Sequence, residues 1–302
     1  MVVHIKRMKK IKTIWINKLH FAQIASSITG GIYAFLGFIG MLFPMDEVLP
    51  DGMSLLVKFL VSIASLVAVW SCGFVFVSLA SLWKNRYKVL TVNNGHALYL
   101  QYGNIFAPNE VSDSSKRRNI VIPVNRCFDV HVDNHIVSMQ TLHGMALHRL
   151  YATGKYTEEN LTSKIEQLLS RVEHEYVSKK DKPEGNRKRY PAGTVAVLPE
   201  DEKMHYFFWA LSTFDANMTA NTTMQEYTLA VQKLIEACNE KSAGFPVVMP
   251  LVGTGLSRTK KEQQDVLKYL VNAFRLNRAD ISCDIHIVVW DELKDEIPIT
   301  NI

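Results

Sequence analysis

Two glycines spaced two apart, in "VVMPLVGTGLSR" (Val247–Arg258), mark the part of this 302-residue chain best suited to chemistry. An apolar, β-branched run precedes them and the amphipathic stretch "TKKEQQDVLKYLVNAF" follows, which is the order strand, loop, helix. Gly253 and Gly255 permit positive φ and close backbone approach. N–H groups at a helix start converge on an anion, with the helix dipole behind them. The loop therefore suits a phosphate, although it matches neither common phosphate loop. Lysine is missing from the Walker position, and Arg258 stands where G-x-G-x-x-G has its last glycine. Taken alone, the same letters also spell a plain strand-to-helix turn.

Other segments supply further polar ends. "QYGNIF" (101–106) follows an early apolar run, and "VIPVN" (121–125) ends a second run on Asn125. "TLHGMAL" (141–147) is a glycine turn opening a helix, and "YPAGTVAVL" (190–198) feeds a further strand. His131 and His135 form H-x-x-x-H without an apparent third ligand, so no metal is assigned. "GLSR" lacks the G-x-S-x-G spacing of a nucleophile elbow, and no catalytic residue or cofactor is assigned. Asp215 and Asn217 suit a pocket or a helix cap. Cys72, Cys127, Cys238 and Cys283 form no C-x-x-C pair, which excludes a short zinc or disulfide framework.

The elements that position these segments fall into two parts. Phe21–Phe43 and Phe59–Trp83 are uncharged runs of 23 and 25 residues, each long enough for a bilayer core of about 30 Å. The first is too long for the apolar region of a signal peptide. Residues 1–88 carry ten Lys/Arg against three Asp/Glu, whereas the remainder carries 24 against 26. The basic excess lies at the outer ends of the two runs, and Asp46, Glu47 and Asp51 lie between them. That pattern predicts a transmembrane hairpin over 21–88 with both termini cytoplasmic, after a basic cytoplasmic N-terminus over 1–20. It also explains the basic balance without nucleic acid. Neither run contains Asp, Glu, Lys, Arg or His, which argues against an ion or proton transporter.

From residue 89 to 302 the pattern predicts an α/β domain with a mixed or largely parallel sheet between helices. Strands are expected at 87–92, 96–102, 119–124, 194–198, 204–211, 245–252 and 284–290, with the "NNG" turn joining the first two. Helices are expected at 141–154, 157–177, 223–241 and 259–276, with Thr157 as a cap.

In this order the segments resemble a macro domain, the module that binds ADP-ribose and related nucleotides, over roughly residues 95–292. The motifs that carry the likeness are Gly103-Asn104-Ile105-Phe106, Pro123-Val124-Asn125, His143-Gly144 and Gly253-Thr254-Gly255-Leu256. With the preceding hairpin, "PVNRCFD", "TLHG" and "PLVGTGLSR", the layout is similar to the ThsA family, the membrane-macro effectors of type II Thoeris antiphage defence. The resemblance implies that a TIR-domain protein makes a histidine conjugate of ADP-ribose on infection. The effector binds this signal, oligomerises and disrupts the bacterial inner membrane, causing abortive infection, without required contact with the TIR protein.

By the same resemblance, Asn104 and Ile105 contact adenine and Asn125 faces the distal ribose. His143, Gly144 and Met145 present backbone N–H groups to the diphosphate, and Gly253, Thr254, Gly255, Leu256 and Ser257 close over it. Arg258 either adds charge to the phosphates or forms a surface salt bridge. "RCFDVHVDNH" is inserted near the expected distal group, so Asp129 and Asp133 are candidates for an amino group and Phe128 for stacking on an imidazole. An ordinary loop carboxylate or core aromatic is the competing reading for each. The expected function is a non-enzymatic sensor with the bilayer as its target. A membrane-anchored ADP-ribose hydrolase is the alternative, and a passive membrane scaffold the third reading.

Overall fold

The computed structural model describes residues 10–42, 54–107, 117–252, 262–300 and 302. The chain divides into two compact units. One contains the N-terminal helices up to Asn85 together with the segment from Lys294, and the other runs from Arg86 to Leu293. The expected boundary near 88 is thus displaced by a few residues, and the last segment joins the first unit.

In the first unit, α1 (Lys18–Leu42) and α2 (Leu55–Trp83) are long and apolar enough to cross a membrane. Their ends agree with the expected spans except that each begins a few residues earlier. Ser54 caps α2 by accepting from the Val57 N–H. Large side chains such as Phe35, Phe38, Phe59 and Phe76 are more than half exposed. Such a continuous apolar surface needs an apolar surrounding. Between the helices, Trp70 Nε1 donates to Ser26 Oγ at 3.0 Å, and the Tyr33 and Ser65 hydroxyls pair at 2.7 Å. These pairs satisfy polar groups that lipid would leave unbonded.

The second unit is built on a mixed sheet with strand order β1-β2-β10-β9-β3-β7-β6. The strands are β1 (Arg86–Thr91), β2 (Ala97–Gly103), β3 (Arg118–Asn125), β6 (Val195–Pro199), β7 (Met204–Phe214), β9 (Val247–Pro250) and β10 (Ile285–Trp290). The central pairs are parallel, and β1 and β6 are antiparallel edges. Asn94 and Gly95 take positive φ in the turn from β1 to β2, as the "NNG" signal requires. Two short strands, β4 (Glu175–Tyr176) and β5 (Lys188–Arg189), form a separate ribbon, and β8 (Ala220–Asn221) pairs with the end of β7.

The helices of this unit are α3 (Leu142–Ala152), α4 (Glu158–Leu168), α5 (Met224–Lys241) and α6 (Gln263–Leu276). Capping boxes start α4 at Thr157 and α5 at Thr223. The helix expected over 157–177 stops at Leu168. Beyond it, β4 pairs with β5 and His174 packs 5.4 Å from Tyr190, so tertiary pairing overrides the helical period.

One irregularity matters for the site. β3 pairs with β9 only at Asn119 and Ile120, although it continues along β7 to Asn125. Pro123 lies within β3 and pairs opposite Trp209. Past Ile120 the β9 side of β3 has no strand partner among the described residues, so the missing N–H of Pro123 removes no ladder bond there.

Candidate functional site

Where β3 and β9 part, a crevice opens outside the carboxyl ends of the parallel strands, the usual ligand position in such sheets. Its volume is about 490 Å³. One wall holds Pro123, Val124 and Asn125, and the other holds Leu251, Val252 and Trp290. The end of β7 (Leu211, Ser212, Phe214) and the turn to β8 (Met218, Thr219, Ala220) close one side. Residues 135–138 and the start of α3 (Thr141, Leu142, His143) close another. Among the described lining residues there is no Asp, Glu, Lys or Arg.

The polar character of this site comes from backbone. Thr141 caps α3, accepting from the Gly144 N–H at 3.0 Å through its hydroxyl and from the Met145 N–H at 2.9 Å through its carbonyl. Leu142 and His143 have no such acceptor among the described residues, so their N–H groups are the open donors at the positive end of α3. The expectation that His143, Gly144 and Met145 donate together is therefore corrected. The cap consumes two of the three donors, and Leu142 takes their place beside His143.

Gly144 is required for another reason. A Cβ on it would lie 2.2 Å from the Ser138 carbonyl oxygen and 2.9 Å from Met139 Cα. The glycine lets α3 press against the 138–141 turn that shares the cleft wall. The Met145 side chain is partly exposed and does not line the cleft.

Asn125 lines the cleft and organises the loop after β3. Its Oδ1 accepts from the Cys127 N–H at 3.0 Å and the Asp129 N–H at 3.5 Å. Arg126 ties the same loop to Glu226 at 2.7 Å and to the Tyr190 carbonyl at 2.8 Å.

The residues next in line do not face the cleft. Phe128 takes φ 51°, is 1% exposed, and meets the Tyr190 ring edge-on at 5.6 Å. Asp129, 2% exposed, pairs with Lys182 at 2.9 Å and accepts from the Asn186 N–H at 2.5 Å. The expected stacking by Phe128 and amino-group contact by Asp129 are thus replaced by core packing and a buried ion pair. Asp133 accepts from the N–H groups of His135 and Ile136 and so holds a turn.

Asn104 ends β2 exposed, its side chain accepting from the Phe106 N–H at 3.0 Å. Ile105 is buried in the core, so its side chain is not offered to a ligand. Gly253, Thr254, Gly255, Leu256, Ser257 and Arg258 lie outside the described residues. Val252, which precedes them, lines the crevice.

Asp215 orders the β7–β8 turn by accepting from Asn217 and Thr219, with Met218 at φ 56° beside the cleft. His131 pairs with Glu158 and His135 approaches Glu184, so the two histidines are engaged separately.

Trp290, 62% exposed on the cleft wall, escaped the sequence reading. Its one signal is a lone tryptophan closing the apolar run of β10.

The His143 ring, 6% exposed, packs edge-on to Phe208 at 5.5 Å, and its Nε2 has no hydrogen-bond partner among the described residues. Burial pushes its pKa down to about 3. Folding thus favours the neutral ring. The contribution is complete above the unfolded value near 6.5 and declines as pH falls toward 3, by about 1.4 kcal/mol per pH unit. His143→Leu is expected to reduce the acid loss of stability by about one proton's worth of slope. Urea midpoints of the detergent-solubilised protein across that range test it, and equal slopes for both proteins would refute the buried neutral ring.

A family model described as "Thoeris protein ThsA, Macro domain" matches residues 98–290. A Thoeris protein ThsA from Bacillus amyloliquefaciens (strain Y2) is 30% identical over 172 residues, covering 56% of this chain and 52% of that protein. The chain therefore matches about half the length of that relative. Among solved structures, an Oceanobacillus iheyensis macrodomain with MES bound shares 11% identity at a TM-score of 0.44, covering 70% of this chain and 90% of its own. The macrodomain of Mycobacterium tuberculosis DarG shares 16% at 0.37, covering 62% and 96%. Likenesses this weak do not bear on function.

Proposed function

This chain belongs to the Thoeris ThsA macro-domain family, and from that premise we propose that its crevice senses an ADP-ribose-derived signal and passes occupancy to the apolar helices. The observation that carries this reading is the start of α3, where Leu142 and His143, whose N–H groups have no acceptor among the described residues, line a crevice where the sheet splits. Backbone donors and a helix dipole bind a diphosphate without a cationic side chain. Trp290 offers a flat apolar face to a ring of the ligand, and Asn125 a polar group to a ribose. The 253–258 loop closes over the phosphates.

The ligand proposed is an ADP-ribose derivative, with the histidine conjugate as its leading form, made by a TIR-domain protein that need not touch this chain. The histidine part of the conjugate then meets His135, Ile136 and the β7–β8 turn rather than Asp129.

The helices are proposed to span the bacterial inner membrane with both termini cytoplasmic, as the charge distribution favours. Ligand binding favours an assembled state in which bilayer integrity is lost, giving abortive infection. Moving such an equilibrium from 1:99 to 99:1 takes about 10⁴-fold tighter binding to the favoured state, or about 5.5 kcal/mol.

The direct test is dye release from liposomes holding the purified protein, titrated with ADP-ribose and its histidine conjugate, with ligand integrity measured afterwards. Release that tracks intact conjugate is expected. Binding with steady ligand breakdown and no release would replace the sensor with a hydrolase. Trp290→Ala is expected to weaken binding about tenfold, since aromatic stacking contributes about 1–3 kcal/mol per base. Unchanged affinity by calorimetry would remove Trp290 from the site.

A further inference from the structure

We propose that the segment Lys294–Thr300 is a releasable clasp that holds the two apolar helices in their resting arrangement, and that ligand occupancy, sensed at Trp290, undoes it. The proposal rests on the sensor reading above for its trigger.

The clasp touches the end of α2 and the residues leading into α1. Lys294 Nζ donates to the Leu82 carbonyl at 3.1 Å and to Asn85 Oδ1 at 2.6 Å. Leu82 lies in the last turn of α2, which contains no basic residue of its own. Lys294 thus supplies, from outside the helix, the cation and donor that a helix C-terminus favours. On the other side, the Thr300 hydroxyl donates to Asn17 Oδ1, and Asn17 Nδ2 in turn donates to the Thr13 carbonyl at 2.8 Å. Asn17 stands at the turn that leads into α1. Asp295, 7% exposed, lies 3.8 Å from Lys12. Between these anchors Ile297 and Ile299 are 3% and 2% exposed. One strand of chain therefore braces the end of α2 to the residues leading into α1.

Two features suit the segment to release. It is made of turns and bends, so it can detach without unwinding a helix or strand. Its hold is confined to a short run of contacts: side-chain hydrogen bonds of Lys294 and Thr300, the Asp295–Lys12 pair and the burial of Ile297 and Ile299. Release requires a ligand whose preference for the released state exceeds that hold. The connection to the sensor is covalent and short: only Asp291–Leu293 separate Trp290, on the cleft wall, from Lys294.

The test uses the full chain in liposomes with a Cys72→Ser background, since Cys72 is the exposed native thiol. Asn17→Cys with Thr300→Cys is bridged by a short bis-thiol reagent that a reductant removes. Efficient bridging without ligand is expected, falling at least fivefold on adding the histidine conjugate of ADP-ribose. The bridged protein should resist conjugate-induced dye release, and reduction should restore it. In parallel, Lys294→Ala and Thr300→Ala should release dye without ligand at least tenfold above the parent, with conjugate affinity at the cleft retained as the check on folding. Bridging that persists at full strength while conjugate triggers release would overturn the clasp and leave the sensor reading standing. Release by the Ala variants when the parent ignores the conjugate would keep the clasp and remove that trigger. Ala variants that bind conjugate yet stay tight without it would overturn the clasp.

Discussion

Replacing Gly144 by valine is expected to weaken binding of ADP-ribose derivatives at least about 100-fold, while the domain still folds. The added Cβ would meet the Ser138 carbonyl oxygen at 2.2 Å and its carbon at 2.8 Å. Those are backbone atoms, and they are held. The same oxygen accepts from the Thr141 N–H at 3.0 Å and from its hydroxyl at 2.6 Å, and the Met139 N–H donates to Asn134 Oδ1 at 3.0 Å. The start of α3 must therefore move instead, carrying the open donors of Leu142 and His143 away from the cleft. Overpacking of this kind costs about 1–3 kcal/mol of stability. The loss of binding should exceed it, because two hydrogen bonds to a charged phosphate are displaced together, each contributing about 1.5–3 kcal/mol. Calorimetry with ADP-ribose and its histidine conjugate, beside the fluorescence of buried Trp209, separates the two effects. Wild-type affinity in Gly144→Val would show that the anion does not sit at α3. Gly144→Ala should fall between the two.

Lys182→Met is expected to destabilise the second unit by about 3–5 kcal/mol, the usual cost of leaving a buried charge without its partner. Lys182 and Asp129 are 1% and 2% exposed. Besides their pairing at 2.9 Å, the ammonium donates to the carbonyls of Glu184 and Asn186 at 2.7 and 2.8 Å. Burial alone drives the Asp129 carboxyl upward in pKa, and Lys182 is the largest opposing influence. Without the ammonium, Asp129 must take up a proton or open the loop to water. Asp129→Asn combined with Lys182→Met should recover a large part of the loss, since the pair is then replaced by neutral groups. Urea midpoints of the three proteins in detergent provide the comparison. A loss below about 1 kcal/mol for the single variant would place the pair in solvent. The consequence reaches the cleft, because Asn125 bonds the Asp129 N–H and the loop they share carries the wall.

Local chemistry was readable from the residues wherever neighbours in sequence decide the outcome. The "NNG" turn, the Thr157 and Thr223 caps, the Thr141-led start of α3 and the two long uncharged runs all follow from a few adjacent residues. The alternation of strands and helices was likewise visible, and with it the α/β class. The Thr141 cap could even have warned that Gly144 and Met145 would spend their N–H groups on it.

What the letters hide is where a loop turns its side chains. Phe128 and Asp129 stand three and four residues past a cleft-facing asparagine, which made them natural candidates for a ligand. A positive φ at Phe128 rotates the chain there, and the aspartate meets a lysine from a distant loop. Helix α4 also ended early because a ribbon partner came from residues 188–189.

Sequence by itself determined the parts: two apolar helices with a biased charge pattern, a mixed sheet and capped helices. Hydrophobic period, cap chemistry and span length act within a few turns of chain, so they need no partner to be read. Only the tertiary structure decided the site and its wiring. It parted β3 from β9 to open a crevice, left Leu142 and His143 as the free donors, set Trp290 on the wall, and returned Lys294–Thr300 to the helix ends. Each of these depends on which distant segment arrives beside which. That is set by the global minimum of packing and hydrogen bonding rather than by any local run.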